Sequence, residues 1–340
     1  MIRIRTIDAH AAGGALRLVV DGFPSPRGRT MLDKRDWLER HAGHLRRVLM
    51  LEPRGHADLS GAVLTEPVLP GSHAGVVFMD GDAYHGMSGH GLLAVTTIAL
   101  ERGLILAEGG SRRLSIDTAA GTIAADVTFG PPSRESEAAP AERVAAVSVT
   151  TVPSFVLRAG EVVTVGSRTL RVDVAFGGAF YAIVDSESAG LPIDGAHLPE
   201  LRRVGMAITR AVAARYDVVH PTEPGLRGLA GTVFTAPPSD ERAALRNVVV
   251  FAGGRADRSP SGTGTAAVMA VLDAMGLLGD DVPFVHEGLI GTHLTGRLVG
   301  RTMVGDCPAI VPAISGTAWV TGEHAFVVED EDPLAGGFRV

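Results

Sequence analysis

Two stretches of the chain are copies of one another, and a chain made of two copies of one unit has few ways to fold. Residues 88–105 and 261–278 match in register: Ser88 falls on Ser261, Gly89 on Gly262, Gly91 on Gly264, Ala94 on Ala267, Val95 on Val268, Gly103 on Gly276 and Leu104 on Leu277. Each copy reads as a glycine-rich turn, an apolar helix and a glycine stop. A second echo sets Gly13-Gly14-Ala15-Leu16, ahead of Leu18-Val19-Val20-Asp21, against Gly177-Gly178-Ala179-Phe180, ahead of Ala182-Ile183-Val184-Asp185. The spacing between the copies differs slightly between the two echoes, as loop insertions leave it. Two long copies imply a pseudo-twofold molecule, since a solenoid needs three or more short units.

At 340 residues the chain has room for two domains of about 150. A first lobe is expected over residues 1–130 and a second over 145–309, with a C-terminal segment, about 310–340, that can return to the first. Residues 2–8 and 15–21 read as a hairpin with Gly13-Gly14 near its turn. Residues 33–48 read as an amphipathic helix with Trp37, Leu38, Leu45 and Val48 on its apolar side. Strands are expected at 62–64, 74–79 and 247–251, short alternating strands over 113–128 and 146–184, a helix over 198–216, and strands again over 295–328. The stretch Pro131 to Arg143 reads as an interdomain or surface loop. The class is α/β (α+β).

Net charge is −7 and no basic run occurs, which argues against a nucleic-acid partner. The single cysteine, Cys307, excludes a disulfide framework. No apolar run reaches the length of a membrane span. The N-terminus alternates like a strand and lacks a signal-peptide core. A soluble, cytoplasmic protein with no membrane partner is expected.

Chemistry gathers at Ser88 and Ser261. Serine where a glycine-rich turn enters a helix is a good N-cap, and that accounts for either serine alone. It does not account for the surrounding glycines, which let a ligand approach the backbone, nor for the repetition. Two helix starts can aim backbone N–H groups and two hydroxyls at one small anion.

The segments Met87-Ser88-Gly89-His90-Gly91 and Asp257-Arg258-Ser259-Pro260-Ser261-Gly262-Thr263-Gly264-Thr265 resemble the two signature motifs of the proline racemase family. His10-Ala11-Ala12-Gly13, Glu52-Pro53-Arg54-Gly55-His56, Leu64-Thr65-Glu66-Pro67 and Ser315-Gly316-Thr317-Ala318-Trp319 agree with it, so the resemblance runs from about residue 7 to 322. It implies a fold like diaminopimelate epimerase: two pseudo-symmetric lobes, each with strands wrapped around a central helix, and the site between them. It implies proline racemases, 4-hydroxyproline 2-epimerases or trans-3-hydroxy-L-proline dehydratases, all without a cofactor or metal, and often homodimeric. It also implies that the residues at Ser88 and Ser261 face opposite sides of the substrate α-carbon. The amides of Gly89, His90, Gly262 and Thr263 then bind the carboxylate of a small imino acid, and Asp257 and His90 contact its ring nitrogen.

Where such a family member has cysteine at both positions, one thiolate removes the α-proton and the other thiol returns it. Here both are serine. A thiol, with a reference pKa of about 8.5, can become a thiolate beside a helix N-terminus. A serine hydroxyl needs a neighbouring base. His90, Asp257, Asp82 and His85 are near in sequence, and sequence does not choose among them. A further departure is Gly14-Ala15, where the family often has Glu-Pro. The resemblance implies that members with serine first and cysteine second epimerise and dehydrate hydroxyprolines, and that members with cysteine first and threonine second are dehydratases. A hydroxyl at the second position thus points away from two-base racemisation; dehydration needs only one base and a leaving β-hydroxyl. The leading expectation is therefore a trans-3-hydroxy-L-proline dehydratase giving 1-pyrroline-2-carboxylate, with Ser88 and Ser261 catalytic. Then come 4-hydroxyproline 2-epimerase, proline racemase, and a binding protein that keeps the carboxylate cradle without turnover. A dinucleotide turn at Gly262–Ala267 lacks its third glycine and its acidic residue. A metal hydrolase lacks a second histidine at helical spacing after His286-Glu287.

Overall fold

The computed structural model describes residues 1–105, 113–130 and 143–339. Of the Pro131–Arg143 stretch, residues 131–142 lie outside the described residues. The chain divides into two compact units, Met1–Val149 with Ser315–Val340, and Thr150–Ile314.

In the first unit come β1 (Ile2–Ala11), β2 (Gly14–Asp21), α1 (Met31–Met50), β3 (Ser60–Thr65), β4 (Ala74–Met79), β5 (Tyr84–His85), α2 (Gly89–Glu101), β6 (Arg113–Thr118), β7 (Gly121–Gly130) and β8 (Arg143–Thr150). The second holds β9 (Ser154–Val165), β10 (Arg168–Phe176), β11 (Phe180–Asp185), α3 (Leu198–Arg215), β12 (Leu229–Ala236), β13 (Leu245–Phe251), α4 (Gly262–Ala274), β14 (Phe284–Glu287), β15 (His293–Val304) and β16 (Cys307–Gly316). The last strand, β17 (Ala318–Val328), belongs to the first unit.

The duplication is visible in the pairing. The first unit runs β17-β1-β2-β3-β4-β6-β7, with β2–β3 and β4–β6 parallel and the other neighbours antiparallel. The second runs β9-β10-β11-β12-β13-β14-β15, with β11–β12 and β13–β14 parallel and the rest antiparallel. Each parallel step needs a crossover, and a helix supplies it: α1 and α3 at the first, α2 and α4 at the second.

The two kinds of helix bury differently because their sequences differ. Helices α2 and α4 are apolar all round, and every residue of Gly89–Ala99 and Gly262–Val271 is buried. A helix with no polar face belongs at the centre of its unit. Both end in the same C-cap, in which Leu104 N–H reaches Ala99 O and Leu277 N–H reaches Leu272 O, across Gly103 and Gly276 at φ +64° and +70°. Helix α1 has one apolar face, which sets Leu38, Ala42, Leu45 and Leu49 in a core with Val19, Val63 and Val77. It begins two residues before Asp33 because Thr30 and Asp33 form a reciprocal capping box. Trp37 lies at the edge of the apolar side rather than within it, half-buried and stacked on His41.

A buried carboxylate latch is also duplicated. On β6, Asp117 accepts from the amides of Val68 and Leu69 and from the hydroxyls of Ser72 and Thr122. On β14, Glu287 accepts from the amides of Ser239 and Asp240 and from the Ser239 hydroxyl. Each thereby pins the loop that joins two antiparallel strands, β3 to β4 or β12 to β13. Burial pushes the Asp117 carboxyl up, but its four hydrogen bonds outweigh that and hold it below the ordinary value; Glu287 is held low in the same way. A carboxylate whose folded-state pKa is depressed stabilises the fold above its unfolded pKa, and that stability is lost as pH falls through the folded value. Asp117→Ala, which strands several buried donors, is expected to lower unfolding stability by about 2–4 kcal/mol at pH 7. In urea titrations, the gap between variant and wild type should narrow below a pH of about 4. A gap that stays constant to pH 3 overturns the assignment.

Candidate active site

In the first unit, Ser88 caps α2. Its backbone is extended (φ −138°), its Oγ accepts from Gly91 N–H at 3.2 Å, and its carbonyl accepts from Leu92 N–H at 2.9 Å. Gly91 is required there: a Cβ would lie 2.7 Å from the Phe78 ring and 2.8 Å from Ser88 Oγ. Gly89 and His90 are the first two helical residues, whose amides an α-helix leaves without an internal acceptor. These amides and the helix dipole favour an anion at this end. His90 is 3% exposed. Two of the four nearby candidate bases are occupied elsewhere: Asp82 pairs with Arg339 at 2.6 Å, and His85 Nε2 lies 2.7 Å from Asp80 Oδ2.

In the second unit, Ser261 caps α4 with a different backbone. Its φ is +61° and ψ 120°, a conformation that side-chain-bearing residues rarely adopt. The turn before it is tied down. Asp257 Oδ1 accepts from both the amide and hydroxyl of Ser259, and Ser259 Oγ accepts from Ser261 N–H at 3.1 Å. Pro260 O accepts from Asn247 Nδ2 at 2.7 Å and from the Thr265 hydroxyl. Thr265 Oγ1 in turn sits 2.9 Å from His286 Nδ1. Burial pushes His286 down to about 3, so this imidazole is neutral at physiological pH. Strain at a non-glycine residue persists only where its surroundings over-determine it, and these bonds do so.

The hydroxyl of Ser261 accepts from Gly264 N–H at 3.3 Å and meets Thr263 Oγ1 at 3.5 Å. Thr263 Oγ1 is 2.8 Å from the hydroxyl of Tyr181, on β11. Burial pushes the Tyr181 phenol up to about 12, so it keeps its proton. Gly262 and Thr263 are the first two residues of α4, and Asp257, Ser261 and Thr263 are each 3% exposed or less.

Within each unit, the sequence-predicted residues gather at the N-terminus of its central helix. Ser88, Gly89 and His90 form one set; Asp257, Ser261, Gly262 and Thr263 form the other. Asp257, expected to meet an ammonium, also has a structural task, since one of its oxygens is committed to the Ser259 turn. Sequence reasoning missed Ser259, Asn247, His286 and Tyr181. Tyr181 directly follows the Gly177–Phe180 echo and was open to notice there; Ser259 lies within the second motif but was given no role, His286 was weighed only as a metal ligand, and Asn247 carries no local signal. Among the described residues, no three His, Cys, Asp or Glu side chains come together as a metal site would require.

Known proteins share this architecture and sequence. The sequence model of the family described as proline racemase matches residues 6–339. The trans-3-hydroxy-L-proline dehydratase of Bacillus cereus is 39% identical over 333 residues, covering 98% of this chain and 97% of that one. The proline racemase of Clostridioides difficile is 37% identical over 336 residues, covering 98% and 97%. The crystal structure of a hydroxyproline epimerase from Agrobacterium vitis, with bound trans-4-hydroxy-L-proline, superposes with a TM-score of 0.91 at 31% identity, covering 100% of this chain and 95% of that one.

Proposed function

The chain belongs to the proline racemase family, and we propose that it is a dehydratase acting on trans-3-hydroxy-L-proline. The family resemblance implies one substrate for both half-sites. The amides of Gly89, His90, Gly262 and Thr263 bind its carboxylate, with His90 and Asp257 on its ring nitrogen. Neutralising the carboxylate stabilises the charge that develops as the α-proton leaves. Ser88, or a base acting through it, takes that proton. In trans-3-hydroxy-L-proline the 3-hydroxyl lies on the same ring face as the α-proton, so it takes up a proton and departs as water on the Ser88 side, and the resulting enamine tautomerises to 1-pyrroline-2-carboxylate. No cofactor enters this scheme. Its setting is cytoplasmic, in keeping with a single cysteine in the whole sequence.

The observation that carries this reading is the hydroxyl at both positions, above all at Ser261. Elimination, whose α-proton and 3-hydroxyl share one ring face, asks for no proton-transfer partner at that position, whereas racemisation asks for one in both directions. The dehydratase of Bacillus cereus supports the same assignment by its likeness. Epimerisation of 4-hydroxyproline is the second reading, favoured by the likeness to the Agrobacterium vitis epimerase. Proton NMR in D2O with trans-3-hydroxy-L-proline, trans-4-hydroxy-L-proline and L-proline in turn separates the readings. The expected result is loss of the 3-hydroxy substrate with growth of pyrroline signals. Loss of the α-proton signal of 4-hydroxyproline with growth of its C2 epimer makes the protein an epimerase instead. Saturable binding of all three with no exchange leaves a binding protein.

A further inference from the structure

The second motif opens on a carboxylate, and one serine holds it. Asp257 Oδ1 accepts from the amide and from the hydroxyl of Ser259, each at 2.9 Å. The same Ser259 Oγ accepts from Ser261 N–H at 3.1 Å. The direction of each bond is settled by the groups themselves: a backbone N–H only donates, a carboxylate only accepts, and a hydroxyl has one proton to give. Ser259 and Asp257 are both buried, so bulk water does not compete for these bonds. The last torsion of an aspartate side chain has a broad, shallow preference, and the turn also carries two arginines, Arg255 and Arg258, toward which a loosely held carboxylate would swing. Two bonds from one residue to one oxygen fix the carboxylate plane, and with it the position of Oδ2.

This clamp is absent from the first unit. In the register that sets Ser88 on Ser261, Ser259 falls on Gly86, which has no hydroxyl, and Asp257 falls on Tyr84, whose phenol donates to Ala42 O. The helix starts that favour an anion are duplicated; the held carboxylate, which favours a cation, is not. We propose that Ser259 is a positioning residue that aims the Asp257 carboxylate at the ring ammonium of the substrate and so sets the preference for a ring nitrogen. This rests on the reading in which Asp257 meets that nitrogen, and it holds alike for dehydration and for epimerisation. A charge partner already oriented before the ligand arrives costs less to order on binding, and a charge-assisted hydrogen bond depends on that orientation.

The test compares two ligands by calorimetry at neutral pH. L-Proline carries the ring ammonium; (S)-tetrahydrofuran-2-carboxylate has the same ring and carboxylate with an ether oxygen in its place. The wild type is expected to bind L-proline at least about tenfold more tightly than the ether. Ser259→Ala should weaken L-proline by about tenfold and the ether by less than about threefold, so the preference falls. Ser259→Cys, close in size and with a weaker donor, should lie between, and it decides by the same two ligands if Ser259→Ala does not fold. In an Asp257→Asn background, Ser259→Ala should lower the preference no further, because the two residues act as one unit. Equal losses on both ligands make Ser259 a prop of the helix start and overturn the proposal, as does a further fall in preference in the Asp257→Asn background. A preference lost in Asp257→Asn but intact in Ser259→Ala sinks the proposal alone. A preference that survives Asp257→Asn, or a wild type without one, shows that Asp257 does not meet the ring nitrogen and sinks that reading and the proposal together.

Discussion

Ser88→Ala is expected to reduce kcat on trans-3-hydroxy-L-proline by about 10²–10⁴-fold, the usual contribution of a positioned acid–base group. Substrate binding, measured by calorimetry on the inactive variant, should change by less than about threefold. The separation follows from the construction of the half-site. In the proposed half-site the carboxylate cradle is made of backbone amides at the start of α2, and alanine leaves them in place. The variant also loses the N-cap hydrogen bond to Gly91, which costs about 1 kcal/mol of stability. Helix α2 is held by burial on all sides and should stay folded. A variant that turns over at the wild-type rate removes Ser88 from the chemistry. A variant that loses binding and turnover together makes the residue part of the cradle.

The second large effect is a gain. The double substitution Ser88→Cys with Ser261→Cys is expected to raise α-proton exchange and racemisation of L-proline by on the order of a hundredfold or more over wild type. Each unit by itself already offers the local setting a thiol needs, a serine at the N-terminus of a buried helix, where the dipole favours a thiolate. Dehydration of the 3-hydroxy substrate should fall in the same variant. A thiol at position 261 can return a proton to the α-carbon before the 3-hydroxyl leaves. The measurements are proton NMR in D2O and the optical rotation of recovered proline. A folded double variant with no proline exchange shows that something other than the missing thiols withholds racemisation.

Much of the fold was legible because duplication repeats its signals. The central helices stand out as apolar on every face, bounded by a serine and a glycine in both copies. The helix expected over 198–216 and the strands expected at 62–64 and 247–251 follow from period and composition, and the structure has them at Leu198–Arg215, Ser60–Thr65 and Leu245–Phe251. The limits arose where a side chain works against its neighbourhood. Lys34 and Arg46 are charged residues of an amphipathic helix, yet both are buried, with Lys34 Nζ donating to Glu66 O and Arg46 Nη1 to Asp80 O. The loops that receive them are distant in sequence, and no periodicity reports on a partner that far away.

The sequence by itself determined the duplication, the α/β class, the two serine-capped helices and the absence of thiols at those caps. All of these are local or repeated patterns that survive in one dimension. Only the tertiary structure decided that the two serines are unlike. The sequence places each at a glycine-rich helix entry and treats them as equals. The fold gives Ser261 a left-handed backbone held by Asp257, Ser259 and Asn247, and a phenol from a strand about eighty residues away. The direction in which a hydroxyl's proton points depends on which donors fill its lone pairs, and that is settled by contacts between distant segments.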